Sequence, residues 1–192
     1  MDRASGLTPF PTLETERLVL RRPRMEDAAD VFEYRSDPEV IRTVTFDLHV
    51  SIEDSQAWLQ RTLERAPAES GACVFALELK SSGKMIGTCG IFLDDVGHAR
   101  AGTAYVLNRA YWGQGLTTEA LRAVVDLGFL RLGFNRIFAL CLPENVASAR
   151  VMEKVGMIYE GILREYLFFK GGFHDVEVHS ILRREWGAGR EA

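Results

Sequence analysis

Gly113 and Gly115, set one residue apart in Tyr111-Trp-Gly-Gln-Gly-Leu-Thr-Thr-Glu-Ala120, are the best-spaced chemical feature of this 192-residue chain. Two glycines in a tight turn ahead of a helix leave several backbone N–H groups pointing at one place, and the helix dipole adds partial positive charge there. Such a turn suits an anion like a pyrophosphate. No Lys-Ser/Thr follows the second glycine, which excludes a P-loop. No third glycine stands three residues on and no acidic residue ends a matching next strand, which excludes the usual dinucleotide fingerprint. Alone, the loop fits a plain structural turn as well as a phosphate site. A second group lies near the C-terminus, where period-2 spacing puts Asp175, Glu177 and His179 on one strand face, opposite His174, Val176, Val178, Ser180 and Leu182. A carboxylate there could deprotonate an amine or could brace a hairpin. His49, His98, His174 and His179 stand at no ligand spacing from a cysteine, so no metal is expected. Trp58, Trp112 and Trp186 read as core or rim packing.

These residues need elements to position them. Arg17–Arg22 reads as a strand closed by Pro23, and Met25, Ala28, Val31, Phe32 and Arg35 share a helix face that ends before Pro38. Ser51-Ile-Glu-Asp54 has the form of a capping box, opening a helix to about Arg65, with Pro67 and Gly71 beyond its end. Three strand-like runs follow: Cys73–Leu79, Met85–Leu93 and Ala101–Leu107. Ala120, Leu121, Val124, Val125, Gly128, Phe129 and Leu132 then mark the clearest helix, over 117–132. Ile137–Leu142 is a short apolar strand, Asn145–Val155 a helix ended by Gly156, and two strands, 158–169 and 173–182, meet at Gly171-Gly172. The order predicts an α/β, mixed-sheet fold with helices on both faces. Strand 101–107, helix 117–132 and strand 137–142 form a right-handed crossover, so Gly113–Thr117 and Asn145 face one another at the same sheet edge. Residues 1–15 are expected to form a flexible arm, 16–186 one domain and 187–192 a tail.

Against that frame, Trp112-Gly-Gln-Gly-Leu-Thr117 resembles the pyrophosphate loop of GNAT acetyltransferases, in the variant of the RimJ/RimL-like branch where Tyr-Trp-Gly precedes and Thr-Glu-Ala-Leu follows. Glu14-Thr-Glu-Arg-Leu-Val-Leu-Arg21, Ser36-Asp-Pro-Glu39, Asn145-Val-Ala-Ser148, Glu153-Lys-Val-Gly156, Glu160-Gly161, Arg164 and Gly172-Phe-His-Asp175 are similar to other stretches of that branch, in order, over roughly 14–186. The resemblance implies the acyl-CoA N-acyltransferase fold, its sheet splayed at the fourth and fifth strands, with acetyl-CoA in the gap as cosubstrate. Backbone groups of Val106 and Leu107 would pair with the pantetheine amides. Trp112, Gly113, Gln114, Gly115, Leu116, Thr117 and Thr118 would form the pyrophosphate site. Asn145 would bond the pantetheine arm, Ser148 would sit near the thioester sulfur as an acid, and Asp175 is the hairpin carboxylate that matches the pattern. Attack of a neutral amine on the thioester would be direct, with a backbone donor stabilising the oxyanion. The chain departs from the pattern at Thr117, where Gly or Ala is expected, at Met152, where many members place a tyrosine acid, and at Gly102, where the branch often has glutamate.

The implied acceptor is a protein N-terminal α-amine, which with a pKa of about 8 deprotonates more readily than a lysine at about 10.4. A small-molecule amine (antibiotic, polyamine or amino acid) and a catalytically degenerate acyl-CoA-binding module are the alternatives, and the family also implies a homodimer. Net charge of −4 argues against broad nucleic-acid binding. Odd, scattered cysteines inside apolar runs and the lack of a signal-like or membrane-length apolar segment point to a cytoplasmic protein that meets no membrane.

Overall fold

The computed structural model describes residues 9–65, 71–95 and 97–188. Its eight strands are β1 (Leu13–Glu14), β2 (Leu18–Arg21), β3 (Ala72–Leu79), β4 (Met85–Asp95), β5 (Arg100–Leu107), β6 (Arg136–Cys141), β7 (Ile158–Phe169) and β8 (Gly172–Leu182). Among the described residues six α-helices accompany them: α1 (Ala28–Arg35), α2 (Pro38–Ile41), α3 (Ile52–Glu64), α4 (Leu116–Leu130), α5 (Val146–Lys154) and α6 (Arg183–Ala188). The strands join in one mixed sheet of order β1-β2-β3-β4-β5-β6-β8-β7. Each face is covered because each carries an apolar set. Leu121, Val124, Val125 and Phe129 of α4 and Met152 of α5 pack with Ile91, Ile137 and Ile181 on one side. Val31 and Tyr34 of α1 and Leu59 of α3 pack with Ala76, Met85 and Val106 on the other. Each such side chain contributes about 1.5–3 kcal/mol by leaving water.

Two boundaries differ from the sequence expectation. Leu13 and Glu14, within the expected arm, pair with Leu20 and Val19 as strand β1. Thr15 follows it into the fold, its hydroxyl 2.5 Å from Glu119 Oε1. A two-residue strand has no period to detect. At the other end α6 runs past 187, anchored by Arg183 Nε on the Phe134 carbonyl (2.9 Å) and Trp186 Nε1 on Asp126 (2.7 Å). Residues 1–8 of the arm, Pro67 and residues 189–192 lie outside the described residues. No helix among the described residues is long and apolar enough to cross a membrane.

The functional feature of the sheet is its centre. β5 and β6 are parallel, joined by the crossover through α4, yet they pair only at Arg100↔Arg136, Ala101↔Ile137 and Gly102↔Phe138. β5 continues on β4 to Leu107, and β6 on β8 to Cys141. The two strands therefore part after Gly102 and Phe138. They are the fourth and fifth strands of the sequence reading, shifted by one because β1 precedes them.

Candidate active site

The loop ahead of α4 has the geometry its glycines foreshadow. Gly113 and Gly115 both hold left-handed backbone, φ 73° and 78°, which a side chain would strain. The first bond of α4 runs from the Glu119 amide to the Gly115 carbonyl, 3.1 Å. Earlier amides of the first turn, through Leu116, Thr117 and Thr118, are the ones a helix end leaves without intrahelical partners. A cation from β2's edge completes the site. Arg17 sends Nη1 to the Gln114 carbonyl (2.9 Å) and both Nε and Nη2 to Glu119 Oε2 (2.7 Å each), with its side chain 43% exposed. Burial pushes the Glu119 carboxyl up, but the bonds from Thr15 and from Arg17 outweigh it and hold the group below its ordinary range. In the sequence Arg17 reads only as the first residue of a strand; the long-range pairing with the α4 end is what shows its position.

The gap between β5 and β6 is lined as a binding slot, with one change to the expected residues. Asn108 donates to the Ile86 carbonyl (2.8 Å), and Thr88 pairs with Val106, so the alternating antiparallel ladder turns Val106's backbone groups toward β4. Tyr105 and Leu107 are the residues whose amides and carbonyls face the gap. Leu107's carbonyl already accepts Trp112 Nε1 at 2.8 Å, which ties the glycine loop to the slot. Asn145 caps α5, its Oδ1 accepting from the Ser148 amide (3.1 Å), while its Nδ2 donates to Thr43 Oγ1 (2.9 Å). Ser148 Oγ lies 2.8 Å from Tyr105 Oη. The Tyr105 phenol is raised above its ordinary range by burial, which the Ser148 contact only partly offsets, so it stays protonated. Met152 is fully buried in the core. A hydroxyl pair from β5 and α5 thus stands where helix residue 152 supplies none, and Tyr105 is a site residue that sequence reading missed. Gly102 is explained by packing: a Cβ there would lie 2.1 Å from the Phe92 ring.

Of the hairpin residues, Asp175 is exposed and accepts the Glu165 amide at 2.8 Å, inside the β7 irregularity where Glu165 takes φ 51°. Glu177 and His179 do share a face. Pairing of β6 with β8 brings them to Cys141, with ligand atoms within 4.8 Å of one another. Spacing along the chain offers no cysteine–histidine pair; cross-strand register creates one. Burial, then Glu177, pushes the Cys141 thiol up to about 12, so it sits as a protonated neighbour of Glu177 Oε2 at 3.9 Å.

A slot between diverging parallel strands, with the open amides of a helix end at one side and a hydroxyl pair beside it, is the arrangement that the resemblance to GNAT acetyltransferases implies. The model of the acetyltransferase (GNAT) domain matches residues 17–158. The chain belongs to the GNAT acetyltransferase family. It is similar to "Uncharacterized N-acetyltransferase p20" of Bacillus licheniformis, 36% identical over 175 residues that cover 91% of this chain and 98% of the relative. The putative ribosomal N-acetyltransferase YdaF of Bacillus subtilis is 33% identical over 94 residues, 49% of this chain and 51% of that protein. The crystal structure of a GNAT-family acetyltransferase from Bacillus anthracis superposes with a TM-score of 0.81 at 27% identity, covering 91% of this chain and all of the other. This GNAT protein is an acetyl-CoA-dependent N-acetyltransferase. By the chemistry of their donors, the open amides at the α4 end would suit the diphosphate of acetyl-CoA, with Arg17 beside them, and the backbone of Tyr105 and Leu107 would suit the amides of the arm.

Proposed function

We propose that the enzyme acetylates an α-amine, that of a protein N-terminus, in the cytoplasm, by direct attack of the neutral amine on the thioester. The observation that carries this reading is the convergence of the Gly113–Thr118 amides, the splayed gap and the Tyr105–Ser148 hydroxyl pair at one sheet edge. When bound, acetyl-CoA supplies the activated acyl group. The chain's part is to hold the diphosphate at the α4 end, to align the arm along β5, and to relay a proton through Ser148 to the sulfur as the thiolate leaves, the proton shed by the acylated nitrogen restoring the serine. When Tyr105 is the donor in its contact with Ser148 Oγ, the serine O–H is free for that direction. Three buried free cysteines suit a reducing compartment. Likeness to YdaF, putatively a ribosomal N-acetyltransferase, supports the protein acceptor. A second copy of the chain is the proposed partner at the β7 edge, where Tyr159, Tyr166 and Phe168 are about half exposed or more.

Calorimetric titration with acetyl-CoA and with NAD, followed by thiol release with peptide N-termini and with polyamines, tests the reading. Selective acetyl-CoA binding that is lost in Gly115→Asp, with turnover of peptides, is expected. No binding removes the reading, and binding without turnover of any amine leaves a degenerate acyl-CoA module.

A further inference from the structure

Arg35 is the least explained charge in the molecule. It is 5% exposed, its Nε has no hydrogen-bond partner, and among the described residues no carboxylate forms an ion pair with it. Its guanidinium carbon lies 3.9 Å from the centre of the Phe46 ring and 4.2 Å from that of Trp58. Stacking on rings uses the faces of a guanidinium and leaves its in-plane donors unengaged. The adjacent Tyr34 hydroxyl is fully buried beside Arg35 and Thr88. A buried guanidinium N–H with no acceptor is costly unless something accepts from it.

The local field has one sign although the chain's net charge is −4. Arg61 and His49 bear on the same spot, and burial, then Arg35, keeps His49's pKa below its ordinary value. The carboxylates that act on this group are held elsewhere: Asp27 by Arg21 at 2.7 Å, and Asp54 by the amides of Val50 (2.9 Å) and Ser51 (3.1 Å). The place in the fold is equally informative. Phe46 and Trp58 pack on the cluster that contains Val106, on the sheet face away from α4 and α5. The segment bearing Phe46 touches the gap through Thr43 and Asn145, and α3 through His49 and Ser55 (2.8 Å). Through Tyr34, whose ring end meets Thr88, Arg35 stands beside the β4–β5 pair at Thr88 and Val106, on the sheet face away from α4 and α5.

We infer that Arg35, with Tyr34, is the anchor for an anionic group of the acceptor: the amine that this enzyme acetylates carries a carboxylate close by. This deepens the acetyltransferase reading and rests on it. The carboxylate has two sources, a free amino acid or an acidic side chain at the start of a peptide.

Thiol release from acetyl-CoA is followed with matched acceptors: an α-amino acid against its amide, and a peptide beginning with Asp or Glu against one beginning with Asn or Gln. At least a tenfold advantage in kcat/KM, carried by KM, is expected for the carboxylate member of one pair, and that pair names the source. The advantage should fall to within twofold in Arg35→Met and be partly retained in Arg35→Lys, with the acetyl-CoA Kd unchanged in both. Equal use of both members in both pairs by the unaltered enzyme overturns the inference, as does turnover confined to polyamines or an advantage that survives Arg35→Met. Failure to bind acetyl-CoA would strike the acetyltransferase reading instead. The anion site is then read directly by tryptophan fluorescence, because Trp58 contacts Arg35: a change with N-acetyl amino acids, absent with their amides, supports it, and no carboxylate-specific change overturns it.

Discussion

At the scale of single residues, the chemistry turns on a hydroxyl that donates to another hydroxyl. Tyr105 Oη is within reach of both the Ser148 carbonyl (3.1 Å) and Ser148 Oγ (2.8 Å), and it has one proton. Donation to Oγ leaves the serine proton for the departing thiolate; donation to the carbonyl leaves the serine to donate back to the phenol. The first arrangement is productive, and loss of Tyr105's hydroxyl removes the bias toward it. Tyr105→Phe is expected to lower kcat about tenfold, the worth of one hydrogen bond of roughly 1.5 kcal/mol, while the acetyl-CoA Kd stays within about twofold. Ser148→Ala should lower kcat further, toward the hundredfold scale of a general acid, roughly 10². In the double variant the effects should overlap rather than multiply, because the tyrosine acts through the serine. Multiplying effects in a steady-state kinetic cycle would show that the two act separately. Nothing in the sequence marked Tyr105, since its partner is 43 positions away and on another element.

At the scale of elements, the loop-to-helix junction was readable and its brace was not. Gly113 and Gly115 announce a turn of left-handed residues, and the apolar repeat after them announces α4. The Ser51–Asp54 pattern likewise opens α3, with Asp54 accepting the Ser51 amide. What period and propensity omit is contact between distant elements. Arg17 on the β2 side fixes both the Gln114 carbonyl and the Glu119 carboxylate, and Thr15 adds a bond to the same carboxylate. The helix end is thereby clamped, and the guanidinium stands beside the glycine loop, 3.6 Å from where a Cβ on Gly115 would lie. Arg17→Ala is expected to weaken acetyl-CoA binding about tenfold through loss of a charge-assisted contact of roughly 1.5 kcal/mol or more, with kcat at saturation nearly unchanged. Titration at low and high salt checks it, because a phosphate contact makes the defect shrink as salt rises. The same blindness explains Val106. Its place beside the gap follows from the sequence, but which of two neighbouring residues turns its backbone into the gap depends on ladder parity against β4.

At the scale of the whole molecule, the gap is a matter of where pairing stops. β5 and β6 are held together only at their first three residue pairs, so whatever fastens that end sets the wedge. Arg136, in the first of those pairs, bonds both Glu160 of β7 and Ser180 of β8, so one guanidinium ties three strands at the closed end. The bond from Arg136, against a smaller opposing effect of burial, brings the Glu160 carboxyl down to about 2 from its ordinary 4.5. Because the folded value is the lower one, this tie contributes stability that is fully present above the unfolded pKa and is lost as pH falls from about 4.5 toward 2. Glu160's side chain is 40% exposed, so solvent screens the pair and the contribution at neutral pH is expected to stay near or below about 1 kcal/mol. Thermal melts from pH 7 to pH 2.5 should therefore show Glu160→Gln slightly less stable than the unaltered enzyme at neutral pH, with the two curves converging in acid. A gap that stays constant across the range would assign Glu160 a neutral hydrogen-bonding role instead. Since the same tie closes the wedge, acetyl-CoA affinity in Glu160→Gln should fall with stability at pH 7, even though the substitution lies at the opposite end of β6 from Asn145 and Ser148.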